Sequence, residues 1–392
     1  VFTLWIIMAA AIVLSGCGED EAKDTGELQD LTIKTAESLT GVQIQYRPVA
    51  LDAWLSIARR LQNGENVHDP DYERLFSLPA YQAIYGNDVR PRVNAVILKS
   101  QLEHSFAKSG RKAARTPKLS ELKDNYTYIA THQDEIQTLI ETLQTQGVLD
   151  QALNDAWPFI PDANKPESLD LLFFAAVPSI TWYPPGTVIL DIGLALAAGP
   201  DQLRGVLAAT FIRSLAPPAM VEPHKAASGR EALIATFHKL HQASTIGWLE
   251  DYPNLEFDGR HPTYQRPDPN RQRVIIDSAI LLERFFAMLN TLVDPESDTI
   301  HNVGGSLDDL LRIGKKYEPI GYAMTKLIIK HKGEEGWLEV APKGPVPWLQ
   351  AYQDAATSNS MAGELATMPA FDTLTFTRLM ALLERTNSEV VR

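Results

Sequence analysis

The stretch TVILDIGLALAAGPDQLRGVLAATFIRSL, residues 187–215, decides how the rest of this chain is read. Thr187 to Ile192 is a short apolar run that follows the turn residues Pro184, Pro185 and Gly186. That combination predicts a buried strand. Pro200 to Leu215 follows at helical spacing, with a proline where a first helical turn tolerates it. The stretch therefore predicts a strand feeding a helix. Val188 to Ala198 is the longest apolar run of the body, but it contains Asp191 and is too short to span a bilayer.

Upstream, Leu171 to Val177 is a second continuous apolar run, bounded by Pro178. Two such runs separated by a Pro/Gly turn predict a small antiparallel pair. Everything further out reads as helix. Ala50 to Leu61 carries Leu51, Trp54, Leu55, Ala58 and Leu61 on one face and meets Gly64 as a stop. Pro70 to Ile84 and Val93 to Ala107 repeat the pattern. Thr131 with Asp134 has the spacing of a capping box ahead of Ile136, Leu139, Ile140 and Leu143, and Gly147 closes that helix. Beyond the strands, Arg230 to Leu249, Arg271 to Val293, Glu318 to His331 and Asp372 to Glu384 are helical. Ser306 with Asp309 predicts a further capped helix ended by Gly314. The fold class expected is mainly α with a small β-sheet.

The chain has 392 residues and a formal charge of −13. An acidic chain repels phosphate backbones, which argues against a nucleic-acid partner. The single basic cluster, Lys108, Arg111, Lys112, Arg115 and Lys118, flanks Gly110 and Pro117 without interleaved aromatics and reads as a solvated loop.

One cysteine excludes an intramolecular disulfide. Its position carries the information. Phe2 to Leu14 is almost wholly apolar and ends in Leu14, Ser15, Gly16 and Cys17, the length and ending of a signal-peptide core. The run resembles the bacterial lipobox, in which the cysteine is acylated, palmitate being one of its chains, and opens the mature protein. The start, Val1 to Thr3, lacks the positive charge usual there. Gly18 to Asp24 is acidic and too polar to bury, so residues 18–40 read as a flexible tether. The resemblance implies lipidation at Cys17 and a membrane anchor without a spanning helix. Gly18 stands where some bacteria place an aspartate that retains lipoproteins at the inner membrane. The expected location is therefore the outer membrane, facing the periplasm. The expected organisation is signal peptide 1–17, tether 18–40, a helical lobe 41–165, and a lobe with the sheet and further helices over 166–392.

Catalytic motifs are missing from the sequence. It has no Gly-rich phosphate loop, no Gly-x-Ser-x-Gly and no His-Glu-x-x-His, and its only cysteine is committed to lipidation. The nearest metal spacing is His238 and His241, three apart and so on one helix face, with Glu231, His224 and Glu250 as further candidates. Two histidines are weak evidence, and a solvated helix face is the favoured reading of them.

The order of segments resembles bacterial zinc-dependent peptidases of gluzincin-like design, over roughly Leu51 to Ala355. Ala53 to Ile57, Tyr72 to Phe76 and Pro79 to Tyr81 look like that family's helical opening. Thr187 to Asp191 looks like the strand before its active-site helix, and Leu203 to Leu215 stands where that helix belongs. Ile246 to Asp251, Gly321 to Met324, and Trp348 to Tyr352 with Ala355 and Ala356 look like its later segments. The resemblance implies zinc held by two histidines one turn apart plus a glutamate from a second helix. A further glutamate beside the first histidine would activate water.

In this chain the two histidines and their glutamate fall on Ala209, Thr210 and Arg213, and the third-ligand region falls near Ser244 to Gly247. None of these can rebuild the site, and no catalytic residue, cofactor or metal ligand carries over. The expectation is a peptidase-like domain without the peptidase chemistry, which binds a peptide or an envelope protein or acts as a scaffold. Arg213 then either forms a salt bridge or pairs with a ligand carboxylate such as a peptide C-terminus. Two other readings stay open: an active metallopeptidase using His238, His241 and Glu250, and a purely structural envelope lipoprotein.

Overall fold

The computed structural model describes residues 39–85, 91–106, 117–176, 180–183, 186–215, 229–251, 273–292, 311, 317–358 and 363–390. Cys17, the tether up to residue 38, His224, the Ser306 capping box and most of the basic cluster lie outside the described residues. The fold is mainly helical around one small sheet, as its patterning requires.

The chain enters at strand β1 (Gln43–Arg47), where Val42, Ile44 and Tyr46 are buried in strict alternation. Seven helices follow: α1 (Val49–Gln62), α2 (Asp69–Phe76), α3 (Pro79–Tyr85), α4 (Pro91–Phe106), α5 (Pro117–Thr131), α6 (Gln133–Thr145) and α7 (Val148–Ala156). Strands β2 (Ser168–Phe174), β3 (Ile180–Tyr183) and β4 (Thr187–Asp191) complete a sheet of order β1-β2-β4-β3. After helix α8 (Ile192–Leu215) come α9 (Gly229–Leu249), α10 (Val274–Leu292), α11 (Tyr317–Val340), α12 (Pro345–Thr357) and α13 (Thr373–Val390).

Three local expectations are corrected. The runs around Leu171 and Val188 do share a sheet, but they pair in parallel, with Leu171 opposite Val188 and Phe173 opposite Leu190. The antiparallel partner of β4 is the short β3, placing Ile180 opposite Leu190 and Tyr183 opposite Thr187. The chain thus passes from β2 out to the edge and returns between β2 and β3. Parallel central strands covered on both faces need continuous apolar sequence, which is why β2 and β4 lack alternation. Second, the pattern from Pro70 to Ile84 is two helices. Pro79 has no N–H to continue the first one and opens the second. Third, the Thr131 capping box does not form. The Thr131 hydroxyl turns back to the Tyr128 carbonyl at 2.9 Å, and His132 caps the next helix without a side-chain bond.

The passage from β4 into α8 is organised by Asp191, which is fully buried. One carboxylate oxygen accepts the Leu194 N–H at 3.0 Å, a helix N-cap, and the other accepts the Ala176 N–H at 2.8 Å. The Asn125 amide of α5 donates to both oxygens and to the Ala176 carbonyl. A single side chain therefore joins the exits of β2 and β4 to α5 and α8. Burial pushes the Asp191 carboxyl up to about 7, against the pull of these hydrogen bonds. Helix α8 then breaks at Gly199, whose φ of 66° is left-handed, and restarts at Pro200.

Two apolar cores result. The first unites the sheet with residues of α1–α8, and the second is built from residues of α9–α13. Phe159 packs against both, and α9 is shared: Ile246 and Leu249 join the first core, while Phe237 and Leu240 join the second. No described helix is long and apolar enough to cross a membrane.

Candidate functional site

The seam between the two cores is where α8 meets α9, and it holds Ala209, Thr210, Arg213 and the Ser244 segment, the positions onto which the resemblance would put the zinc ligands. Gly205 of α8 lies against the last turn of α9. A methyl group at 205 would stand 2.4 Å from the Leu249 carbonyl oxygen, so only glycine allows this approach. One end further along, the Gln242 amide donates to the Ile212 carbonyl at 3.1 Å. These two contacts make the helices antiparallel and bracket Ala209 opposite Ser244 and Thr245.

On its other side α9 meets α11 just as closely. A methyl group at Gly321 would fall 2.5 Å from the Ser244 backbone nitrogen. The segment around Ser244 is thus pinned between α8 and α11.

The side chains at these positions do not fit a zinc ion. Ala209 is fully buried and has no donor atom. Thr210 donates its hydroxyl to the Val206 carbonyl at 2.8 Å within its own helix. Ser244 does the same toward the His241 carbonyl at 2.6 Å. Phe211 and Ile212 are core residues. Arg213 is a permanent cation that repels a divalent metal. The polar atoms present are either internally bonded hydroxyls or a guanidinium, and none is a ligand that zinc prefers.

Arg213 has a partner within the chain. Its Nη2 donates to Oε1 of Glu250 at 2.7 Å, with the two side chains 42% and 11% exposed. Side chains on a helix lean toward its N-terminus. Arg213 leans back over Ala209 and Glu250 back over Ile246, so the ion pair closes across the seam at the bracketed level. Of the two expectations for Arg213, the salt bridge is the one formed.

The alternative ligand set is not brought together. Glu250 continues the helical bonding of α9, its N–H donating to the Ile246 carbonyl at 2.9 Å. His241 and Glu250 therefore lie on opposite faces of one helix, about 13 Å apart along its axis. His241 turns away from α8 into the second core. Its Nε2 lies 2.8 Å from the Ala341 carbonyl, and its ring meets Trp348 edge-on at 5.6 Å. Burial lowers its pKa to about 4, so the ring is neutral and donates to that carbonyl. His238 is half-buried and also lowered by desolvation. Among the described residues no three His, Cys, Asp or Glu side chains group as a metal site would require.

Two residues of this region lie in the segments quoted for the resemblance but carry no role of their own in it. Asp251, beside Glu250, adopts φ 43°, the single non-glycine residue with positive φ among those described. Tyr322 of α11 is buried with Lys326 set over its ring at 5.2 Å. Burial raises the Tyr322 phenol, and Lys326 pulls it partly back. Neither residue has a sequence signal of its own, because both depend on where α9 ends against α11.

Among curated proteins and solved structures none matches the chain. Residues 72–208 match the model of one family, described as "Putative zinc dependent peptidase (DUF5700)". The match covers a little over a third of the chain, from α2 into α8, and ends one residue before Ala209. Over that span the chain is similar to a family of zinc-dependent peptidase type.

Proposed function

We propose that this protein is a lipid-anchored envelope lipoprotein, tethered through Cys17, whose peptidase-like domain binds a peptide or a partner protein without cleaving it. The observation that carries the reading is the chemistry of the α8–α9 seam. By the sequence resemblance, two zinc histidines and their glutamate would fall on Ala209, Thr210 and Arg213, and Arg213 is paired with Glu250. A hydrolase of this type needs a Lewis acid and a carboxylate base facing the scissile carbonyl. Those positions offer a buried methyl, a hydroxyl bonded to its own helix and a guanidinium, and the Glu250 carboxylate nearby is held by that guanidinium. The family match over 72–208 supports the peptidase-like scaffold; it says nothing of activity in this chain.

The experiment pairs two measurements on the purified protein. Cleavage of a casein substrate is expected to stay at the buffer level with and without added zinc. Capture from an envelope extract by immobilised protein is expected to yield a defined peptide or protein that competes with itself at saturation. Zinc-dependent cleavage that vanishes on chelation would replace this reading with an active metallopeptidase. A surface that captures nothing saturable would leave only the structural lipoprotein.

A further inference from the structure

We infer that Asp150 is a latch that takes the pull of the tether before it reaches strand β1, and that passes it to α7 and α8. The purpose of the latch rests on the proposed anchor at Cys17. Strand β1 is the weak point of a domain anchored this way. It is five residues long, lies at the sheet edge and, among the described strands, pairs with β2 alone. An edge strand is bonded on one side, where a central strand is bonded on two. A force on the anchor arrives at its N-terminal end. Peeling it away would uncover Val42, Ile44 and Tyr46, each at most 3% exposed.

The chain is caught just ahead of that strand. The Leu39 N–H donates to Oδ2 of Asp150 at 2.7 Å, and the Thr40 hydroxyl donates to Oδ1 at 2.9 Å. Thr40 Oγ1 also accepts the Val42 N–H at 3.4 Å, which joins the latch to the start of the sheet. Hydrogen bonds to a carboxylate are the stronger class, and Asp150 is only 7% exposed, so water competes little for them. Asp150 lies in the first turn of α7, where the helix dipole favours an anion. Gly41, at φ 75°, then turns the chain from the latch into β1. A force travelling along the chain meets Leu39 first, Thr40 next and β1 last.

The latch is itself tied down. Further along α7, Asp155 accepts two hydrogen bonds from Arg204 of α8, from Nε at 2.6 Å and from Nη2 at 2.8 Å. This bidentate pair fixes α7 to α8 in one geometry. The load path therefore runs from Leu39 and Thr40 through Asp150 into α7, and through Asp155 and Arg204 into α8. At the far end of β1 the Tyr46 hydroxyl donates to the Leu143 carbonyl of α6 at 3.2 Å, so helices hold the strand at both ends.

The test uses the full chain. Hydrogen exchange is followed by mass spectrometry on peptides covering β1 and α11. In Asp150→Ala the β1 amides are expected to exchange about tenfold faster than in the wild type, with α11 unchanged. Thr40→Val removes one of the two bonds and is expected to give a smaller acceleration, about threefold. In an optical trap, the unacylated chain is then pulled between Cys17, its single thiol, and its C-terminus. The wild type is expected to lengthen first at global unfolding. Asp150→Ala is expected to show a separate earlier step of about 3 nm, the extended length of the chain from Leu39 to Arg47. Exchange of β1 at the wild-type rate in Asp150→Ala, or the lack of an early step, would overturn the inference. Should Asp150→Ala fail to fold, the exchange of Thr40→Val decides. Wild-type protein that carries no acyl group on Cys17 would sink the anchor reading, while accelerated β1 exchange in the variants would leave the latch standing.

Discussion

His241 makes the stability of this protein depend on pH in a way that can be worked out from its surroundings. The ring is largely enclosed between α9 and α12 yet not wholly buried, bonded to the Ala341 carbonyl and set against Trp348, and desolvation lowers its pKa from the usual 6.5 to about 4. Between those two values the unfolded chain holds a proton on this histidine and the folded chain does not. Acidification through that window therefore favours unfolding; the contribution is fully present above pH 6.5 and is lost as pH falls toward 4. One pKa unit is worth about 1.4 kcal/mol, so the whole contribution is about 3 kcal/mol, with about 2 kcal/mol lost between pH 7 and pH 5. The perturbation is His241→Gln, whose amide can still donate to Ala341 but does not titrate. Other groups titrate in the same range, Asp191 with the opposite sign, yet they are common to both proteins and cancel in the difference. Urea unfolding followed by tryptophan fluorescence at pH 7, 6 and 5 measures it. The stability gap between wild type and variant should shrink by about 2 kcal/mol from pH 7 to pH 5. A gap that stays constant over that range would refute the placement of a neutral histidine in the second core.

Three further outcomes are expected. Asp191→Ala takes the carboxylate acceptor from the Ala176 and Leu194 N–H groups, and should cost about 3 kcal/mol in thermal unfolding at pH 5. Because the folded carboxyl titrates near 7 against an ordinary 3.8, the wild-type side chain contributes most at low pH and loses stability as pH rises from 4 to 7. The cost of the alanine variant should therefore fall over that range. Gly321→Ala drives a methyl group into the Ser244 backbone and should cost about 2 kcal/mol; an unchanged melting temperature would mean α9 and α11 are further apart than described. Cys17→Ser should abolish incorporation of labelled palmitate and release the protein from membranes, and labelling that survives the change would remove the lipoprotein reading.

Much of the architecture could be read directly. Strong apolar periodicity located α1, α9 and α10 to within a few residues, and the run from Thr187 located β4. What escaped depends on contacts between distant segments. β1 is five residues at the sheet edge, with a short alternation that one strand partner, β2, completes. β3 is four residues, and without it the parallel pairing of β2 and β4 has no visible cause. The candidate site divides the same way. That Ala209, Thr210 and Arg213 fall where the resemblance would put the zinc motif is an expectation read from the sequence alone. The pairing of Arg213 with Glu250 joins residues 37 apart and needs the antiparallel crossing of α8 and α9. The burial of His241 likewise needs α12 folded back beneath α9, so a histidine three residues from another looked available for metal until Ala341 and Trp348 were seen to enclose it.

The measurement that bears most directly on the whole account is metal content, by mass spectrometry, of the protein purified from residue 18 onward without chelator and then incubated with zinc and desalted. The account predicts far less than one zinc per chain, unchanged in Glu250→Gln and His241→Gln. One zinc per chain that is lost with either substitution would contradict it.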